Sequence, residues 1–177
     1  MTGRVPAEVD PGAFRAVAGR FATGVTVVTT AVGDAHHAMT ANSFISVSLD
    51  PVLVLVSVDR ASRFHDVVLA ARVFGVSVLA ADQEPVARWF SSRGRPHDLT
   101  QFAEHPHRLG ERTGVILLDG ALATIECSTY AVHDAGDHTL VVGEVVSLAL
   151  PRPDDAPLVF FAGAYGPVPS AMTTDTA

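Results

Sequence analysis

The sequence predicts a mainly β fold: a barrel with two or three helices across its gaps. Most of the chain is a succession of short β-branched runs set off by Gly, Pro, Asp and Asn, the pattern of strands and turns. Two long runs near the C-terminal end, Ala121–His133 and His138–Leu150, are apolar on both alternations in places, which requires cover on both faces. Helical periodicity is brief. The regular strand–helix alternation of a doubly wound sheet is missing, as is any GxGxxG.

Taken in order, Asp10-Pro11 reads as an N-cap and first helical position. Phe14, Val17, Ala18 and Phe21 then share one helical face, with Gly24 as the stop. Val25–Ala31 is a strand by β-branched content, Gly33-Asp34 a turn, and His37–Ala41 a second strand. Val52–Val58 is almost wholly apolar and is read as a buried strand. Ser62 caps a short helix through Ala71, and Val73–Leu79 returns as a strand. Asp82 caps a helix with Pro85 in its first turn and Val86, Trp89 and Phe90 on its apolar side. Ser91 to Thr113 holds four arginines and three histidines with little periodicity, and reads as an ordered functional loop or a mobile excursion. Ala121–His133 and His138–Leu150 form a long hairpin through Asp134-Ala-Gly-Asp137, and Leu158–Phe161 is the last strand. A flexible N-terminus at 1–10, one domain at 11–169 and a disordered tail at 170–177 complete the layout.

Composition removes several function classes. The net charge is −7 and no basic cluster suggests nucleic-acid binding. No apolar run is long enough for a bilayer, and Met1–Asp10 lacks a signal-peptide layout. The one cysteine, Cys127, excludes an internal disulfide and a CxxC pair, and is read as a buried small hydrophobe. These features point to a cytoplasmic protein. Hydrophobic residues make up 48%, so without a membrane segment the apolar surplus suggests a subunit interface, and apolar residues on both alternations of His138–Leu150 predict a homodimer. His97, His105 and His107 lack a carboxylate or thiolate to complete a tetrahedral set, so no metal is expected. There is no GxSxG elbow and no paired carboxylate spacing.

Three segments carry candidate chemistry. Met39-Thr-Ala-Asn-Ser-Phe-Ile-Ser-Val-Ser-Leu-Asp-Pro51 sets small hydroxyl and amide groups between two β-prone runs. Such residues line a cleft for a polar ring, and they also make ordinary turns. Asp59-Arg-Ala-Ser-Arg63 sits at a strand-to-helix corner. Helix N-terminal amides and a guanidinium fork there suit a phosphate, and a capped helix with surface arginines is the other reading. Arg93 and Arg95 offer further cations. Gly136-Asp-His-Thr139 is a hairpin tip whose His138 can stack on a planar ligand or donate a proton, or simply begin a strand.

Together these residues resemble the flavin reductase-like family, the reductase components of two-component flavin-dependent monooxygenases. The likeness runs from Phe14 to Tyr165. Its marks are Arg20-Phe-Ala-Thr-Gly-Val-Thr-Val-Val-Thr29, Met39-Thr-Ala-Asn-Ser-Phe44, Ser46-Val-Ser-Leu-Asp-Pro51, Gly136-Asp-His-Thr139, Gly143-Glu-Val145 and Gly163-Ala-Tyr-Gly166. The resemblance implies an FMN-binding split β-barrel, Greek-key-like and dimeric. It implies NADH or NADPH as hydride donor, and FMN or FAD as the acceptor that leaves to serve a partner monooxygenase. A split-barrel flavoprotein that keeps its flavin and a non-catalytic flavin-binding protein are the alternatives.

By the same resemblance, Thr40, Ala41, Asn42 and Ser43 hold the isoalloxazine, with Ser46, Val47 and Ser48 beside them. Asp59, Arg60, Ser62 and Arg63 surround the ribityl phosphate. Phe90 and Arg93 close over the phosphate or adenine end. His138 is the catalytic histidine near the nicotinamide, and Phe161, Gly163 and Tyr165 border that pocket. Two positions depart from the family pattern: Ala38 replaces a common glycine and Phe64 a small hydroxyl residue.

Overall fold

The computed structural model describes residues 9–167, so most of the expected flexible N-terminus and the tail at 170–177 lie outside the described residues. Helix α1 (Pro11–Ala18) starts as expected: the Asp10 carboxylate accepts from Ala13 N at 2.7 Å, with Pro11 at the first helical position. It ends earlier than expected, at Gly19, and Gly24 belongs to β1 (Thr23–Gly24) instead. None of its residues is buried, so the Phe14–Val17 face stays outside the core of this chain.

Next come β2 (Thr26–Val32), β3 (Ala35–Ala41), β4 (Ile45–Leu49), β5 (Val52–Asp59), α2 (Arg63–Ala71), β6 (Val73–Val78) and α3 (Glu84–Ser91). The chain continues through β7 (His107–Leu109), β8 (Ile116–Leu118), β9 (Ala123–Ala135), β10 (His138–Ala149), β11 (Leu158–Phe161) and β12 (Ala164–Pro167). Seven strands form one antiparallel sheet in the order β3-β2-β6-β9-β10-β5-β4. Its two edges, β3 and β4, are joined by Asn42-Ser43-Phe44 alone. A link that short spans only about 10–14 Å, so the sheet must curl until its edges approach. Among the described residues no ladder joins β3 to β4. The Ser43 hydroxyl crosses the split instead, donating to Ser57 O at 3.0 Å and accepting from Ser57 N at 3.1 Å on β5. A mainly β split barrel with flanking helices is therefore the architecture.

Both alternations of β2 are buried, which explains its apolar density. Val28 joins the core formed with Val56, Phe64, Phe74, Cys127 and Val141. Val27 joins a second core with Leu79, Phe90, Phe102, Ile116 and Leu158. Helix α2 packs against β2 and β3, and α3 packs against β3. On the long hairpin, Val141 and Val142 are both buried, but the far end opens out, with Leu148 71% exposed.

Several elements differ from the sequence reading. The stretch Ile45-Ser-Val-Ser-Leu49, read as part of a loop, is the edge strand β4, whose apolar–polar alternation is that of a strand. Ser91 to Thr113 contains a 3₁₀ turn (Leu99–Phe102) and β7, which pairs with β8. Leu158–Phe161 is not the last strand: β12 follows through Ala162 and Gly163, both at positive φ (50° and 84°), the handedness of tight hairpin turns. Asp82 does not cap α3. It lies in the 3₁₀ turn Ala81–Gln83 and pairs with Arg152, while Gln83 occupies the cap position. No helix among the described residues is long and apolar enough to cross a membrane.

Gly143 marks a tight point of the barrel. A Cβ there would lie 2.4 Å from Phe74 Cζ and 2.8 Å from Cys127 Cβ, beside a register shift between β9 and β10. Gly143→Ala is expected to cost about 1–3 kcal/mol by overpacking. Urea unfolding of the variant checks this, and an unchanged midpoint would show that Phe74 moves aside freely.

Candidate functional site

The two cores meet at a cleft of about 610 Å³, within the range of small-molecule sites. One wall is the end of β3 and its link, Thr40, Ala41, Asn42 and Ser43. Opposite stand Asp59, the α2 N-terminus with Ser62 and Arg63, and His138 at the start of β10. Register explains the last juxtaposition: His138 lies directly across from Asp59 on β5. Phe90, Arg93 and Arg95 close the third side from α3 and the loop after it.

The hydroxyls of the β3 wall are committed to the fold. Thr40 Oγ1 donates to Ala87 O at 2.7 Å, tying β3 to α3, and Ser43 bridges the barrel split. Rigid backbone at Ala41–Ser43 is therefore what this wall presents, along with the exposed Asn42. The α2 corner is different. Ser62 occupies the N-cap position yet makes no side-chain cap bond, and its Oγ is buried with no hydrogen-bond partner. An unsatisfied donor beside helix N-terminal amides and Arg63 is a place for an anion.

Charge points the same way. The chain carries −7 overall, yet the cleft gathers Arg63, Arg93 and Arg95 around one carboxylate, Asp59. Asp59 is itself engaged, accepting from Ala61 N at 2.8 Å in the corner. Burial pulls the Arg95 guanidinium below its ordinary value, and the Arg63 charge adds to that effect. Burial likewise lowers His37 on the same wall, helped by His97, Arg95 and His36, which leaves it neutral at neutral pH. Cations held together without paired carboxylates create the potential that draws in an anionic ligand.

At the other end, His138 Nδ1 lies 2.7 Å from Asp137 Oδ1. The hydrogen bond and charge of His138 hold the Asp137 carboxyl below the usual range. A carboxylate only accepts, so the imidazole carries its hydrogen on Nδ1 and leaves Nε2 free.

The other expected site residues lie outside this cleft wall. Ser46, Val47 and Ser48 sit on β4, with Val47 50% exposed. Arg60 turns to Asp134 at 3.5 Å. Tyr165 stacks under Arg88 at 5.2 Å, Phe161 lies beneath Arg20 at 5.9 Å, and Gly163 is in the β11–β12 turn. The two departures from the family pattern are both buried, Ala38 at 2% and Phe64 at 3% exposure, each in a core while bordering the cleft. His105 and His107 serve in ring packing, His105 against Trp89 and Phe90 and His107 against Phe102.

Gln101 was not singled out by the sequence. It is 2% exposed, its side-chain amide donates to His36 O at 3.1 Å and Asp98 O at 2.9 Å, and its main-chain carbonyl accepts from Trp89 Nε1 at 2.8 Å. Arg95 adds bonds to Ala38 O and to Ser92 O. These two side chains pin the irregular loop onto β3. A glutamine in an aperiodic stretch gives no sequence signal of such a role.

Comparison with known proteins agrees with this geometry. Residues 18–169 match the model of the flavin reductase like domain. An NADH-dependent flavin reductase of a Rhodococcus species is 44% identical over 92% of this chain and 89% of its own. The solved structure of BorF, the flavin reductase component of a bacterial two-component tryptophan halogenase, is 46% identical with a TM-score of 0.85, covering 90% of this chain and 99% of BorF. The NADH:FAD oxidoreductase SgcE6 of Streptomyces globisporus C-1027, solved with NAD and FAD fragments, is 38% identical with a TM-score of 0.84, covering 97% and 100%. The extent of the family match and the identity to these relatives place the chain in the flavin reductase like domain family.

Proposed function

We propose that this protein is an NADH-dependent flavin reductase that passes reduced FMN or FAD to a partner flavin-dependent monooxygenase. The observation that supports it best is the convergence in one cleft of the Thr40–Ser43 wall, the unpartnered Ser62 hydroxyl beside Arg63, and His138. Hydride transfer is chemistry that the bound flavin and nicotinamide supply, which accounts for a site built to bind and orient. Ala41–Ser43 offers rigid backbone and the Asn42 amide to the polar edge of a flavin ring. Ser62, Arg63 and the α2 amides hold its phosphate. His138, with Nε2 free, orients the nicotinamide. The cytoplasm, where nicotinamide nucleotides are turned over, is where the protein acts.

NADH oxidation followed at 340 nm with FMN, FAD or riboflavin added tests this. Oxidation only when flavin is supplied is expected. No flavin-dependent loss of absorbance with NADH or NADPH would overturn the reading. Gel filtration after reduction should separate flavin from protein, whereas co-elution would favour a reductase that retains it.

The same reading includes a homodimer. Ile45, Val47 and Leu49 on β4 and Leu148 on β10 are 56%, 50%, 85% and 71% exposed on strands separated only by β5. Apolar surface concentrated in this way marks an interaction site. Light scattering at micromolar concentration should give twice the chain mass, and a one-chain mass would count against it.

A further inference from the structure

We propose that His65 is a positioning residue for His138: through a buried hydrogen bond to Thr139 it holds the start of β10 against α2, and so fixes where the imidazole of His138 stands in the cleft. The inference rests on the role proposed above for His138.

Of eight histidines in the chain, His65 is the only buried one, at 8% exposure. It faces away from the cleft and the binding machinery leaves it unused. Its Nδ1 lies 2.8 Å from Asp66 Oδ1 and its Nε2 lies 2.9 Å from Thr139 Oγ1. The Asp66 carboxylate fixes the hydrogen on Nδ1, so Nε2 accepts and Thr139 donates. The order carboxylate, imidazole, hydroxyl is that of a hydrolytic triad. Thr139, however, is 1% exposed, so no substrate reaches its oxygen and the chain of bonds serves to hold.

What it holds is the point where the pairing of β10 with β5 and β9 begins, next to an exposed hairpin tip. Residues 132–137 of the hairpin are all exposed, and Thr139 is the first buried residue of β10. His138 and Thr139 are adjacent, so they project to opposite faces of the strand. A register slip of one residue would turn His138 inward and bring Thr139 to the cleft. The His65 bond locks against that slip. Two further ties join the same segments: Arg60 N donates to Asp137 O at 3.0 Å, and Arg60 pairs with Asp134 at 3.5 Å. The spacing between the anion corner at Ser62–Arg63 and His138 is thus set from α2.

A double-mutant cycle with two readouts tests the proposal. The hydride-transfer rate at saturating FMN and NADH is measured for His65→Phe, Thr139→Val, His138→Ala and the two combinations with His138→Ala. The His138 ring signal is followed by NMR in the flavin-free protein. His65→Phe and Thr139→Val should each slow transfer about tenfold, a coupling within the range of side chains that act as a unit. They should add nothing further in the His138→Ala background. The His138 ring signal should shift and broaden, and His65→Gln, which keeps an acceptor for Thr139, should recover most of both effects.

Equal slowing with and without His138 would show a general structural role and overturn the proposal. An unmoved His138 signal, or wild-type rates in both variants, would overturn it as well. If His65→Phe does not fold, Thr139→Val and His65→Gln decide the same question. Should His138→Ala itself reduce flavin at the wild-type rate, the role of His138 fails first, and the NMR arm still reports whether His65 fixes its ring.

Discussion

His138→Ala is expected to slow flavin reduction by on the order of a hundredfold and to raise the apparent KM for NADH, because misplacing a hydride donor by about 1 Å costs that much. Flavin affinity should change little, since the Ser62–Arg63 corner and the Ala41–Ser43 wall are untouched. The structural basis is the register that sets His138 across from Asp59, and the Asp137 carboxylate that fixes the hydrogen on Nδ1. Asp137 is exposed, so it orients the ring without burying a charge. Anaerobic stopped-flow reduction, with flavin binding titrated separately, is the measurement. A wild-type rate would make His138 an ordinary strand residue. Lost flavin binding with an unchanged rate in the saturated complex would move His138 to the flavin side of the site.

Much of this was legible in the sequence, and the exceptions have physical causes. Strands covered along most of their length, such as β5 with Leu53, Val54, Val56 and Val58 buried, announce themselves by continuous apolar composition. The edge strand β4 does not, because it is short and the serines between its apolar residues read like turn residues. Strands β7 and β8 are three residues each, too short for any periodicity to show. Helix α1 was visible from its cap, but not its isolation: an amphipathic pattern shows that a face is apolar, never what covers it.

The site divides in the same way. Of the residues set by local turn chemistry, Asp59, Ser62, Arg63 and His138 line the cleft, whereas Arg60 turns to Asp134. The Thr40 and Ser43 hydroxyls also lie there, but their bonds go to Ala87 and Ser57, far away in sequence. Residue type alone could not tell a hydroxyl offered to a ligand from one consumed by the fold. Arg95 is a similar case: its charge suggested phosphate, and its bonds to Ala38 O and Ser92 O make it also a loop anchor.

That distinction between the arginines sets the second large effect. Arg63→Ala is expected to weaken FMN binding by about 1.5–3 kcal/mol, the worth of a hydrogen bond to a charged group. This is roughly ten- to a hundredfold in Kd. Riboflavin, which has no phosphate, should bind nearly as before. Arg63 is exposed on the first turn of α2, so part of its contribution is screened, and the FMN loss should shrink as salt is raised. Arg95→Ala should behave otherwise. Removing its bonds frees the loop from β3, so riboflavin and FMN should both weaken. Fluorescence titration of the two flavins at low and high salt checks all of this. Equal losses for riboflavin and FMN in Arg63→Ala would make that residue a structural one. The anion corner would then rest on Ser62 and the α2 amides, because the buried Ser62 hydroxyl still needs a partner whichever arginine stands beside it.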